Sequence, residues 1–119
     1  MANIVRKNGN GRYSEVVIHN GVIYIAGQVG DDPEAGVAQQ TAETLATLER
    51  ILEENGSDKE HILHAAVYLA DISHVAEMNA VWDKWVVPGK EPSRVCCQAP
   101  LVSPAWKVEI VVTAAVKED

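Results

Sequence analysis

A chain of 119 residues is the size of one domain, and an apolar fraction of 47% beside 23% charged residues is enough to build one core. A formal net charge of -7 without any basic block argues against a nucleic-acid partner, because phosphate binding needs clustered Lys and Arg. No apolar run reaches the roughly eighteen residues that a membrane span requires, so no membrane partner is expected.

Residues 1–10 are polar and lack an apolar core segment, so no secretory signal is expected. The two cysteines, Cys96 and Cys97, are adjacent and cannot form a disulfide framework; a reducing, cytoplasmic setting fits them. Residues 1–12 read as a polar lead-in strand or loop. Val16-Val17-Ile18-His19 and Val22-Ile23-Tyr24-Ile25-Ala26 are two β-rich runs. Asn20-Gly21 between them is a strong hairpin signal, since both turn positions favour positive φ. Both runs are apolar on both faces, which calls for cover on each side.

A loop rich in Asp, Gly and Pro follows over residues 27–35. The recurrence of Thr41, Leu45, Leu48 and Leu52, with Ile51 beside them, predicts a helix over about 38–54. Gln39, Gln40, Glu43, Glu49, Arg50 and Glu53 are assigned to its outer faces, and Asn55-Gly56 is its stop. Ser57-x-x-Glu60 has the form of a capping box. Residues 62–70 read as a central strand. A second helix is predicted to open at Ser73 as N-cap, to carry the stripe Val75, Met78, Trp82 and Trp85, and to stop at Pro88-Gly89. Two more strands close the chain, one over 92–98 and one over 107–116. The order β-β-α-β-α-β-β predicts an α+β fold with both helices on one face of the sheet. The strands are apolar on both faces, so the other face is expected to be covered by further copies of the chain, sheet against sheet.

The last two strands carry ionisable residues where a core residue would be usual. Alternation places Arg94, Cys96 and Gln98 on one face of the first. In the second, Val108, Ile110, Val112, Ala114 and Val116 make one apolar row, and Glu109 falls in the opposite row at a half-covered position. Arg94 can hold a carboxylate bidentately or pair with Glu109 in a structural ion pair. Glu109 reads either as a general acid/base raised by partial burial or as a solvent-facing residue on an edge strand. Cys96 is a nucleophile only with a base or positive neighbour, and is otherwise an inert buried thiol. His61 and His64 lack further ligands at metal-binding spacing, and Gly27-Gln28-Val29-Gly30 lacks the lysine of a phosphate loop, so no metal or cofactor is expected.

Gly11-Arg12-Tyr13-Ser14, Ala26-Gly27-Gln28, Val67-Tyr68-Leu69-Ala70-Asp71, Met78-Asn79-Ala80, Pro92-Ser93-Arg94-Val95-Cys96 and Lys107-Val108-Glu109-Ile110 stand in the order and spacing of the Rid/YjgF family. The chain resembles these reactive-intermediate deaminases over nearly its whole length, as a single domain over 1–119. The resemblance implies a chorismate-mutase-like α+β fold and a homotrimeric barrel with helices outside and clefts between protomers. It also implies hydrolysis of small enamines and imines, such as 2-aminoacrylate, to a 2-oxo acid and ammonia without a cofactor. By position, Arg94 resembles the carboxylate-binding arginine and Glu109 the glutamate that orients or activates water. Cys96 resembles the cysteine whose main chain or thiol contacts substrate, and Tyr13 and Asn79 the residues lining the cleft. Arg12, Cys97 and Pro100 depart from the family's usual residues, and the loop after Gln28 is short and lacks its usual proline, which marks a divergent subgroup. Two other readings stand beside the enzyme: a trimer that binds a small carboxylate without turnover, and the RNA-directed, translation-inhibiting role that older family labels imply.

Overall fold

The computed structural model describes residues 3–118. Its elements in chain order are β1 (Val5–Gly9), β2 (Ser14–His19), β3 (Val22–Gln28), α1 (Val37–Glu54), β4 (Ile62–Leu69), α2 (Val75–Trp85), β5 (Ser93–Gln98) and β6 (Val108–Ala115). The strands form one sheet in the order β1-β2-β3-β6-β4-β5. The lead-in segment is thus an edge strand, exposed along its length. Asn20 and Gly21 take positive φ of 51° and 76° and turn the β2–β3 hairpin, as that dipeptide predicts.

Strands β3 and β4 both run antiparallel to β6, which lies between them, so they are parallel to each other. Strand β4 is directly parallel to β5. Helices α1 and α2 are therefore crossover connections, both advancing across the sheet in the same direction. Crossovers of one hand that advance in one direction deliver their helices to one face. The result is a mixed six-stranded sheet with a two-helix layer, the α+β arrangement expected.

Between sheet and helices lies the core. Val16, Ile23, Ile25, Ala65, Val67, Leu69, Val108, Ile110, Val112 and Ala114 point toward Leu45, Leu48, Ile51 and Leu52 of α1 and Met78 and Trp82 of α2, all buried. On β6 every second residue is buried and the alternate ones are half-buried, as a strand with one face under helices should be. The opposite face carries Val17, Tyr24, Tyr68, Val95, Val111 and Thr113, with no helix over it; Tyr24 is 50% and Val95 47% exposed. Among the described residues no helix is long and apolar enough to cross a membrane.

Local capping differs from expectation at two turns, because an aspartate within two residues of each serine takes the acceptor role. Asp71, not Ser73, receives the amide, that of Ser73 at 2.9 Å, and a 3-10 turn over Ile72–His74 leads into α2. At the other turn Asp58 accepts from the Glu60 amide at 3.0 Å, while Ser57 Oγ donates to the Ala115 carbonyl at 2.6 Å. An ionised carboxylate is the stronger acceptor at a helix start.

Gln40 was assigned to an outer face of α1 and is instead completely buried. Its Nε2 donates to the carbonyls of Ala35 at 3.1 Å and Ala105 at 3.2 Å, and its Oε1 accepts from the Lys107 amide at 2.8 Å. One side chain thus ties the loop before α1 to the loop before β6. A Cβ at Gly30 would lie 3.2 Å from the Gln40 Cα and carbonyl oxygen, so the chain approaches there without a side chain. Replacing Gln40 by leucine removes the partners of the partly buried Ala105 carbonyl and Lys107 amide, while the Ala35 carbonyl keeps only the Lys107 Nζ donor at 3.2 Å. Gln40→Leu should lower the unfolding free energy by about 3 kcal/mol in urea denaturation, and a loss below about 1 kcal/mol would count against the anchor.

Candidate functional site

The residues singled out from sequence fall into two groups on opposite faces of the sheet. Glu109 lies on the open face, paired across β4 with Tyr68. Beside it the β3–β6 register shifts: Ile25 faces Val112 and Gln28 faces Ile110, leaving Ala26 and Gly27 against a single residue of β6. Such a bulge bends the strand and re-aims its neighbours. The Glu109 carboxylate occupies the space this opens. A Cβ at residue 27 would overlap its Oε2 and come within 3.0 Å of its Cδ. Tyr13, 61% exposed on the loop entering β2, and Val102, wholly exposed between β5 and β6, complete a depression of about 310 Å³ with Ala26, Gly27 and Glu109.

Arg94, Cys96 and Gln98 share the helix-side face of β5, as alternation predicts, because Arg94 pairs with Ala65 and Cys96 with Val67, both core residues. Strand β5 is the far edge of the sheet, so Arg94 is half-buried at the rim of the helix layer. Its Nη1 donates to the sulfur of Met78 at 3.8 Å, and its Cζ lies 5.0 Å from the centre of the Trp82 ring. Asn79 follows Met78 on α2, and its Oδ1 is buried without a hydrogen-bond partner. Cys96 packs at the edge of the core, and burial pushes its thiol up from 9.0, against the opposing pull of the Arg94 charge.

Within one chain an Arg94–Glu109 ion pair is therefore ruled out: strand β4 and the thickness of the sheet separate the two groups. Among the described residues neither has an ion-pair partner. Nor is Glu109 on an edge strand, since β6 lies between β3 and β4. Tyr13 stands with Glu109, whereas Asn79 and Cys96 belong to the Arg94 side. His61 and His64 do not converge: Nδ1 of His61 bonds Asp58 Oδ1 at 2.6 Å, and Nδ1 of His64 bonds Ser93 Oγ at 2.8 Å.

Sequence reasoning passed over Gly27, Val102, Met78 and Trp82 as parts of the two groups. The α2 periodicity marked Met78 and Trp82 only as core. The one cue to Val102 was an apolar pair, Leu101-Val102, between two prolines.

The family model described as endoribonuclease L-PSP matches residues 4–116, so the chain belongs to that family, known also as YjgF or Rid. Its particular relatives include the RutC family protein YoaB of Escherichia coli, 47% identical over 95% of this chain and 98% of that one. The crystal structure of a YjgF-family protein from Neisseria meningitidis superposes with a TM-score of 0.94 at 45% identity, covering 98% of each chain. A rat protein named 2-iminobutanoate/2-iminopropanoate deaminase is 31% identical over 84% of this chain and 77% of its own.

The raised Cys96 thiol has a direct readout. In a Cys97→Ser background, thiolate absorbance at 240 nm should appear only as the pH rises above about 9; a thiolate present at pH 7 would contradict the burial argument.

Proposed function

We propose that the chain is the subunit of a cytoplasmic homotrimeric imine deaminase, which hydrolyses small 2-imino and 2-enamino acids of the 2-aminoacrylate kind to 2-oxo acids and ammonia. The observation that carries this reading is the placement of an unneutralised guanidinium and an unpaired carboxylate on opposite faces of one sheet. Back to back they cannot act on one molecule. When the open face of one copy packs beside the β5 rim of another, Glu109 and Tyr13 of one protomer meet Arg94, Asn79 and Cys96 of the next. The uncovered apolar strand face supplies the driving force for that assembly. The name of the rat relative supplies the substrate class.

The chemistry requires little beyond these groups. The enamine tautomerises to an imine, whose carbon is already electrophilic. Water adds to C2, giving a carbinolamine. Proton transfer to nitrogen and collapse of the C–N bond release ammonia and leave the 2-oxo acid. Arg94 anchors the carboxylate with paired donors and fixes C2 in place. Glu109 takes a proton from the attacking water and returns one to the departing nitrogen. Tyr13 and the unpartnered Asn79 Oδ1 line the cleft, the latter an acceptor for an imine N–H. Cys96, with its thiol protonated, contributes its main chain at the strand edge and not a nucleophile. No step calls for a metal or an organic cofactor.

The test is to generate 2-aminoacrylate in situ from serine with a dehydratase and follow pyruvate and ammonia. Arg94→Ala should lower kcat/KM by about 100-fold, mostly through KM, and Glu109→Gln by at least about 100-fold, mostly through kcat. Gly27→Ala, which displaces the Glu109 carboxylate, should resemble Glu109→Gln. Cys96→Ala should retain most activity. Wild-type activity unchanged in Arg94→Ala would refute the assigned role.

Stabilisation by a 2-oxo acid without ammonia release would instead identify a carboxylate-binding trimer. The family model's description raises an RNA-directed role, which the net charge of -7 opposes. Tight RNA binding with a steep salt dependence would restore it.

A further inference from the structure

A half-buried cation ordinarily sits against a carboxylate. Arg94 does not. It lies over the indole of Trp82, with one N–H on the sulfur of Met78. Met78 and Trp82 stand four residues apart on one face of α2, are nearly or wholly buried, and occupy the core side of the guanidinium. The indole is itself fixed. Its ring centre is 5.8 Å from that of Trp85, at a tilt of 49°. Trp85 Nε1 donates to Glu49 Oε1 of α1 at 2.9 Å, and Lys59 Nζ lies 5.7 Å over the Trp85 ring. A continuous series of contacts therefore runs from α1 through two indoles to the β5 rim.

We propose that Trp82 is the positioning residue for carboxylate recognition: its ring holds Arg94 in a fixed plane while leaving the charge and most of the N–H donors available to the ligand. This rests on the reading of Arg94 as the carboxylate anchor. A guanidinium has five donors in a rigid fork, and the Met78 sulfur takes one. An acidic partner would occupy two donors and cancel the charge. An aromatic ring attracts the cation through its quadrupole, supplies no acceptor in the plane of the fork, and leaves the net charge at +1. The same ring removes the rotational freedom of a long side chain, so less is lost when an anion binds.

The test measures the dissociation constant of 2-oxobutanoate by calorimetry, with KM and kcat on the imine formed in situ. Trp82→Leu should weaken 2-oxobutanoate binding by about tenfold and raise KM in step, with kcat within about twofold of wild type; Trp82→Phe should stay within about threefold in binding. A ring that merely filled space would cost folding stability and move kcat and KM together, without the selective loss of 2-oxobutanoate affinity and KM. An independent readout is the Arg94 Nε–Hε resonance. Ring current should shift it upfield in the wild type, less so in Trp82→Phe, and leave it near the free-arginine position in Trp82→Leu. If the leucine variant does not fold, the wild-type and Trp82→Phe spectra with their binding constants decide the matter. A folded Trp82→Leu that binds as the wild type does, a phenylalanine variant as impaired as the leucine one, or a wild-type Arg94 resonance at the free-arginine position overturns the proposal. A wild type that binds 2-oxobutanoate in an Arg94-dependent way but is indifferent to Trp82 sinks this inference alone. A wild type that neither binds it nor hydrolyses an imine sinks the function as well.

Discussion

Both crossover helices advance across the sheet in one direction, and that constraint fixes nearly everything else about the molecule. With α1 and α2 on the same face, one row of each strand meets a helix and the alternate row does not. The odd and even positions of β5 and β6 thereby acquire different environments. Arg94 falls in the row that reaches α2, and Glu109 falls in the row that faces away. A one-residue slip of either strand would exchange those rows and put both groups on the same side. The register is held by the apolar alternation of β6, whose Val108, Ile110, Val112 and Ala114 cannot be turned outward without exposing a large part of the core.

Two kinds of buried polarity support this frame, and they are satisfied differently. Gln40 has no net charge, and its amide bonds the backbone of the two adjoining loops at the Ala35 and Ala105 carbonyls and the Lys107 amide. Its anchoring of the Lys107 amide sets the entry of β6 two residues ahead of Glu109. Arg94 carries a full charge and is met by an aromatic face and a thioether. The first arrangement has spent its hydrogen-bonding capacity within the chain. The second has not, and the proposed carboxylate-binding role of Arg94 draws on that remaining capacity.

Much of the fold was legible because short-range signals agreed with one another. Asn20-Gly21 fixed the hairpin, the Leu45-Leu48-Leu52 spacing fixed α1, and strand alternation correctly gave Arg94 and Cys96 one face. The capping residues were less legible, since Asp58 and Asp71 stand within two residues of the serines that pattern alone favours, and only geometry decides between such acceptors. Gln40 was missed because an amide at a helical position adjoining the apolar stripe reads as surface unless its backbone partners, five and more than sixty residues away, are known. Arg94 and Glu109 were each placed correctly in their own strand. Their relation was not legible, because it depends on the order in which the strands enter the sheet, and two short strands near each other in sequence need not be adjacent in space. Strand β4, from the middle of the chain, lies between them.

The bulge at Ala26-Gly27 explains how the open face accommodates the Glu109 carboxylate. A regular β3–β6 ladder would set a side chain beside Glu109, and any Cβ at residue 27 would collide with the carboxylate. The extra residue and the missing side chain together make a recess into which the carboxylate folds, with Tyr13 and Val102 at its margin. The half-buried acid in this recess has no salt bridge to neutralise it among the described residues. Arg94 at the opposite rim is likewise restrained without an acidic partner. The two groups share a design in which neighbours fix the charged side chain but do not cancel it, and the proposed assembly would bring them together.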